Sequence, residues 1–172
     1  GVARSSIKLD YEISRAKLTQ LVLEIPADQK VVNVFDRNVQ RWNFEPGEGK
    51  QTVRVDLFEA TQGQQSLLVE LEQFINATES SYQVSLPLVR AVGVGRQQGI
   101  VVVRLDEGLQ GEAVKRTGLL QLDQNDLPET LRGTAWGFVY RYGAVPYELV
   151  LNVEKVLPRI SVTELVEAEL SA

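Results

Sequence analysis

Apolar and polar residues alternate along most of this chain. Ile7, Leu9, Tyr11 and Ile13 are separated by Lys8, Asp10 and Glu12. Val53, Val55 and Leu57 enclose Arg54 and Asp56, and Val69 and Leu71 alternate with Glu70 and Glu72. Leu149, Leu151 and Val153 alternate with Val150, Asn152 and Glu154. Leu21, Leu23 and Ile25 repeat the pattern with Val22 among them, and Val101, Val103 and Leu105 run into Asp106-Glu107-Gly108. Side chains on a strand point to opposite faces in turn, so each segment predicts a strand with one face buried and one in water.

Turn residues punctuate these runs: Pro26-Ala27-Asp28, Asp36-Arg37-Asn38, Pro46-Gly47-Glu48-Gly49, Gln62-Gly63-Gln64, Gly108 and Gly143. Short strands spaced this way predict an all-β sandwich or barrel, and the long helical periods of a βαβ protein are missing. One helical turn is expected in LDQNDLPETLRG, with Asp126 as its cap, Pro128 in its first turn and Gly133 at its end. The expected fold is about a dozen strands in two closely packed sandwich-like halves. The polar stretch INATESS, 75–81, divides them into residues 1–76 and 77–172. SLLVELE at 66–72 weakly echoes ELVLNVE at 148–154. In the final stretch Ile160, Val162, Val166, Ala168 and Leu170 share one face of an extended chain, and β-branched Val162 and Thr163 favour a strand there. That strand would lead toward a further module. Position 1 is Gly rather than Met, which reads as the remnant of a cleaved tag on a piece of a longer protein.

Composition narrows the chemistry. The 172 residues include no Cys, His or Met. A disulfide frame, a thiolate nucleophile, a Ser-His-Asp triad and a His- or Cys-bearing metal site are therefore excluded. The net charge is −5, and Lys115-Arg116 is the only adjacent basic pair. A nucleic-acid surface needs a basic stripe against phosphates, so neither nucleic acid nor an anionic membrane surface is an expected partner. No apolar run approaches the ~20 residues of a membrane-spanning helix.

The aromatic residues are the main candidates for a site. TAWGFVYRYGAVPYELVLNVE, 134–154, places Trp136, Phe138, Tyr140 and Tyr142 on one face of a strand. Such a row stacks on sugars when exposed and packs a core when buried, and the core reading is favoured here. Tyr147, just after Pro146, is expected to be exposed. Trp42, in NVQRWNFEPGEG, is expected to plug the open end of a sandwich.

The other motifs carry less. GVGRQQG at 93–99 spaces its third glycine one residue late for a dinucleotide fingerprint and runs into a strand, so it reads as a connection. Glu148, Glu154, Asp123 and Asp126 are the carboxylates near the aromatic strand, but sequence does not pair them as a glycosidase requires. DQND at 123–126 lacks the spaced ligands of a calcium loop. Asn76-Ala77-Thr78 is a glycosylation triplet.

Two longer stretches share a recognisable shape. LVLEIPADQKVVNVFDRNVQRWNFEPGEGKQTVRVDL, 21–57, runs from an apolar strand ending in Pro, through a Trp strand and a turn, to a Val/Leu strand. RYGAVPYELVLNVEKVLPRISV, 141–162, follows in the second half. Together they resemble the β-rich segments of large uncharacterised envelope proteins of bacteria. That resemblance implies an extracytoplasmic location, periplasmic or cell-envelope, and transfers no catalytic residue to this chain. The function expected is that of a non-catalytic structural or interaction module with no cofactor and no metal. Its partners would be other domains of the parent protein or a separate protein, met at exposed edge strands. The alternative is a carbohydrate-binding sandwich using Trp136, Tyr140, Tyr142, Tyr147 and Trp42.

Overall fold

The computed structural model describes residues 1–75, 81–133 and 137–156. Trp136, the triplet at 76–78, the expected division near residue 77 and the final strand lie outside the described residues. The described chain is all-β, with eleven strands in two antiparallel sheets.

Two long strands dominate. β1 (Val2–Pro26) and β4 (Lys50–Phe74) each have 25 residues and pair along almost their whole length. The pairing slips between Ile13 and Leu18 and again between Leu18 and Gln20. Extra residues in one strand bend a ladder and sharpen its twist. Here they turn one ribbon into two arms. The first arm pairs Val2–Ile13 with Gly63–Phe74, and the second pairs Gln20–Pro26 with Lys50–Asp56. Alternate residues of both arms enter one core: Ile7, Leu9, Leu67 and Val69 from the first, Leu21, Leu23, Val53 and Val55 from the second. The ribbon thus folds back and packs against itself.

The edges of β4 and β1 are extended by shorter strands. β2 (Lys30–Phe35) pairs with the first arm of β4, and β3 (Val39–Glu45) with the second. β7 (Arg96–Leu105) lies on the other side of β1, followed by β10 (Phe138–Tyr142) and the two-residue β9 (Leu120–Gln121). The two-residue β6 (Arg90–Ala91) pairs with the second arm of β1. Strands from both sides of residue 77 therefore share the larger sheet. The smaller sheet has the order β5 (Ser81–Ser85), β11 (Glu148–Lys155), β8 (Leu109–Thr117). Its Val84, Leu149, Leu151 and Val153 complete the same core.

A polar clasp holds the two arms where their free ends meet. Gln51 donates to the carbonyls of Pro26 and Gln29. Gln29 donates to Gln73, 2.9 Å away, and Gln73 to Asp28. At the bend, Asn38 donates to the carbonyl of Glu59 and accepts from its N–H, both at 2.9 Å. Buried backbone groups need such partners wherever a ladder is interrupted.

The expected helical segment forms two 3-10 turns, Gln124–Asp126 and Glu129–Leu131. The first cap is Asp123 rather than Asp126, because the Asp123 carboxylate accepts from the N–H of Asn125. These turns carry Leu127 and Leu131 onto the outer face of β7 and β10, where they bury Val102 and Val139. That cover explains why Val101, Val102 and Val103 are all buried in one strand.

Candidate functional site

The aromatic stretch is part of the core. Phe138, Tyr140 and Tyr142 project inward from β10, and each is less than a tenth exposed. Tyr142 lies against Tyr147, with ring centroids 4.7 Å apart. The expected exposure of Tyr147 is wrong: only 5% of it meets solvent. Its ring continues the inward phase of Leu149, Leu151 and Val153, and its hydroxyl donates to the carbonyl of Pro87 at 3.0 Å.

The phenols serve as internal ties. Tyr142 donates to the carbonyl of Lys8 and accepts from the amide of Gln97, both at 3.1 Å. Gln97 also donates to the carbonyl of Val89 and accepts from the N–H of Ala91. One buried glutamine and one tyrosine thereby join β1, β7, β10 and the segment before β6. Gly99 makes room for this: a Cβ there would sit 1.8 Å from the Lys8 carbonyl oxygen and 2.8 Å from the Tyr142 hydroxyl. Burial raises the pKa of Tyr142 and Tyr147 well above the ordinary phenol value. Tyr11 is raised by burial and further by the Asp36 carboxylate, and its hydroxyl has no hydrogen-bond partner among the described residues. Tyr140 is raised by burial, offset in part by Arg116, which stands over its ring at 5.9 Å. No ligand-stacking surface is formed by Tyr140, Tyr142 and Tyr147.

The carboxylates do not converge. Glu148 pairs with Lys115 across 3.3 Å at the surface, and Asp123 is engaged as a cap. Asp126 and Glu154 are exposed. Among the described residues no group of three or more acidic side chains is arranged to hold a metal ion. Only the first three residues of GVGRQQG form a connection, with Gly93 at a φ of 75°; Arg96–Gly99, expected to belong to it, open β7 and pair with β1.

Trp42 is half-buried on β3, opposite Val55, and packs on the rim of the core. It points to the part of the surface that sequence reasoning did not resolve. Four of the five phenylalanines are more than half exposed: Phe35, Phe44, Phe58 and Phe74. They lie on β2, β3 and β4: Phe35, Phe58 and Phe74 fall in the outward phase of their strands, and Phe44 stands opposite the buried Val53. Beside Phe44, a cleft of about 310 Å³ opens between β2 and β3, lined by Ala27, Val31, Pro46 and Gly47. An exposed aromatic ring at the mouth of an apolar cleft is a feature of contact surfaces.

Two of the strands at the margins, β3 and β8, are themselves open. Among the described residues β3 pairs only with β4, and β8 only with β11. Each carries a bulge, at Gln40 in β3 and at Val114 in β8, where the register shifts. Bulges and charges protect an edge against indiscriminate pairing without closing it. A polar hollow of about 260 Å³ lies on the outer face between Asp10, Glu12, Gln64, Ser66, Arg96 and Gln98. It mixes both charges and holds no group that sets a chemistry.

Comparison with protein-family models, with curated proteins and with solved structures found no match to this chain.

Proposed function

We propose that this chain is a non-catalytic interaction module that binds protein at its open lateral margins. The observation that carries this reading is the β2–β3 margin, where the exposed Phe44 borders an apolar cleft beside an edge strand with free backbone groups. Such an edge gives main-chain hydrogen bonds to an added segment, and the adjacent cleft gives side-chain selectivity. The partner would be another part of the same parent protein or a separate protein of the cell envelope. The burial of Tyr140, Tyr142 and Tyr147 argues against the sugar-platform alternative, which needs those rings in solvent.

A photo-crosslinking residue placed at Phe35 in the protein in its own cell tests the reading. A defined protein adduct at that position, and none from the same probe at Glu107 in the β7–β8 turn, is expected. Equal labelling at the two positions overturns it.

A further inference from the structure

The sequence of β3 is self-complementary about Asn43. An antiparallel pairing of two identical strands with a two-fold axis through residue 43 sets residue 41 of one copy against residue 45 of the other. It sets 42 against 44. In this chain that places Arg41 opposite Glu45, and Trp42 opposite Phe44. Opposite charges and aromatic pairs facing each other are the contacts that stabilise neighbouring strands. A two-fold axis uses each of them twice.

The side chains already stand as this pairing requires. Trp42 and Phe44 lie opposite Val55 and Val53, which are wholly buried, so both rings belong to the inner face. Arg41 and Glu45 lie on the outer face, with side chains 74% and 66% exposed. Within the chain Arg41 pairs with Asp56 at 2.8 Å, and Arg54 with Glu45 at 3.7 Å. Across the axis the row would run Asp56, Arg41, then Glu45 and Arg54 of the second copy, alternating in sign throughout. The inner row would bring the exposed half of Phe44 against Trp42 of the second copy, covering apolar surface that is otherwise in water. The β8 edge has no such symmetry: LQGEAVKRT holds adjacent Lys115 and Arg116 against a single acid, Glu112.

We infer that the partner at β3 is a second copy of this chain, joined edge to edge through residues 41–45 about a two-fold axis at Asn43. The inference rests on the reading of the margins as protein-binding surfaces and names one occupant. The bulge at Gln40 and Pro46 bound the pairing at five residues, so the dimer is weak and concentration-dependent. Its buried area falls below that of stable dimers, which is roughly 1,200–2,000 Å².

Cysteine scanning tests this directly, since the chain has no cysteine of its own. Asn43→Cys puts two thiols face to face on the axis, within the roughly 4.5–5.5 Å between Cβ atoms of opposed strand residues. Under mild oxidation Asn43→Cys is expected to form a covalent dimer at micromolar protein, and Val114→Cys on β8 is not. Sedimentation supplies a second readout. Arg41→Glu and Glu45→Arg are each expected to weaken self-association roughly tenfold or more, because each sets like charges opposite one another twice. Their equimolar mixture is expected to associate again, since the pairs across the axis are then of opposite sign. Circular dichroism of each variant confirms that it folds. Equal cross-linking at Asn43→Cys and Val114→Cys, or a mixture no more associated than its components, overturns the inference. Failure here with a defined adduct still formed at Phe35 would remove the second copy as occupant and leave the interaction reading standing. Failure of both would remove both.

Discussion

The hydroxyl of Tyr142 donates a hydrogen bond to the carbonyl oxygen of Lys8, a residue 134 positions earlier in the chain. The contact crosses β7, the strand between β1 and β10, and is possible because β7 has only a hydrogen atom in the way, at Gly99. Tyr142→Phe removes this bond and one acceptor of Gln97. Loss of a buried hydrogen bond with its partners left behind costs about 1–3 kcal/mol. Gln97→Ala strips partners from Val89, Ala91 and Tyr142 together and is expected to cost more than Tyr142→Phe. Urea denaturation of both variants, and of the double variant, checks this. The double variant should lose less than the two single losses combined, because they share a bond.

Gly99→Ala tests the same crossing from the other side. The added methyl would overlap the Lys8 carbonyl oxygen, which is backbone and yields only if β1 and β7 separate. Forcing atoms into a packed interior costs roughly 1–3 kcal/mol and more when backbone must move. Gly99→Ala is expected at or above the top of that range, against a change near zero for Gly143→Ala, where a Cβ meets nothing. Thermal melts of the two variants give the comparison.

Alkaline pH is expected to unfold the protein earlier than its charge alone would. Burial raises the phenols of Tyr11, Tyr142 and Tyr147 above their value of 10.0 in the unfolded chain. Below pH 10 both states hold these protons, and the stability from burying neutral phenols is fully present. Above it the unfolded state releases protons that the folded state retains, so stability falls as pH rises. With three such groups the slope is about 4 kcal/mol per pH unit, from about 1.4 each. Ultraviolet titration should show tyrosinate absorbance appearing in a cooperative step that coincides with loss of the β-sheet circular dichroism signal. Smooth ionisation of all five tyrosines near pH 10 with the fold intact would contradict the burial of these rings.

At the clasp, Gln51→Leu keeps the side chain's bulk and removes the donor that serves Pro26 and Gln29. The Pro26 carbonyl keeps the N–H of Gln29, the Gln29 carbonyl loses the Gln51 amide, and a cost of about 1–3 kcal/mol follows. Hydrogen exchange should localise the change: amides of Lys50–Arg54 should exchange faster, and those of Val101–Val103 should not. Uniform acceleration across both sheets would mean that the clasp acts on global stability alone.

Much of the fold is legible in the alternation of side chains. Every run of alternating residues named at the outset is a strand, with the inward set buried as its phase requires, apart from the half-buried Leu105 at the end of β7. Phase also contains what sequence reading passed over. Tyr147 is two residues before Leu149, so its burial continues a pattern visible in the sequence, although the preceding proline reads as a turn signal. The buried glutamines behave alike. Gln29 precedes Val31, Gln51 precedes Val53, Gln65 precedes Leu67 and Gln97 precedes Gly99 and Val101, each one step before an inward run. Gln51 and Gln97 use that position to satisfy backbone groups beside the ladder, whereas Gln29 donates to Gln73 and Gln65, in mid-strand, donates to Asp36. The polar stretch Ser14–Gln20 shows no alternation, yet it is the bend of one continuous strand, because a bulge keeps extended geometry without a core to face. The margins were not legible in this way. Which strand is left at an edge depends on pairings between distant segments, and no local pattern encodes that.

The folded-back ribbon also sets an order of assembly. β1 and β4 pair as nested partners, from Pro26 with Lys50 at the inside to Val2 with Phe74 at the outside. Closing the inner pair loops only the segment that becomes β2 and β3, and each later pair encloses a longer stretch. Loop closure grows costlier with length, though slowly. Loop closure alone therefore favours zipping from the second arm through the bend toward the first, with β7 docking on the first arm once it is formed. A chain emerging from a ribosome meets these demands in the same sequence. Everything needed for the β1–β4 ribbon has been synthesised by residue 74, before any strand of the smaller sheet is made.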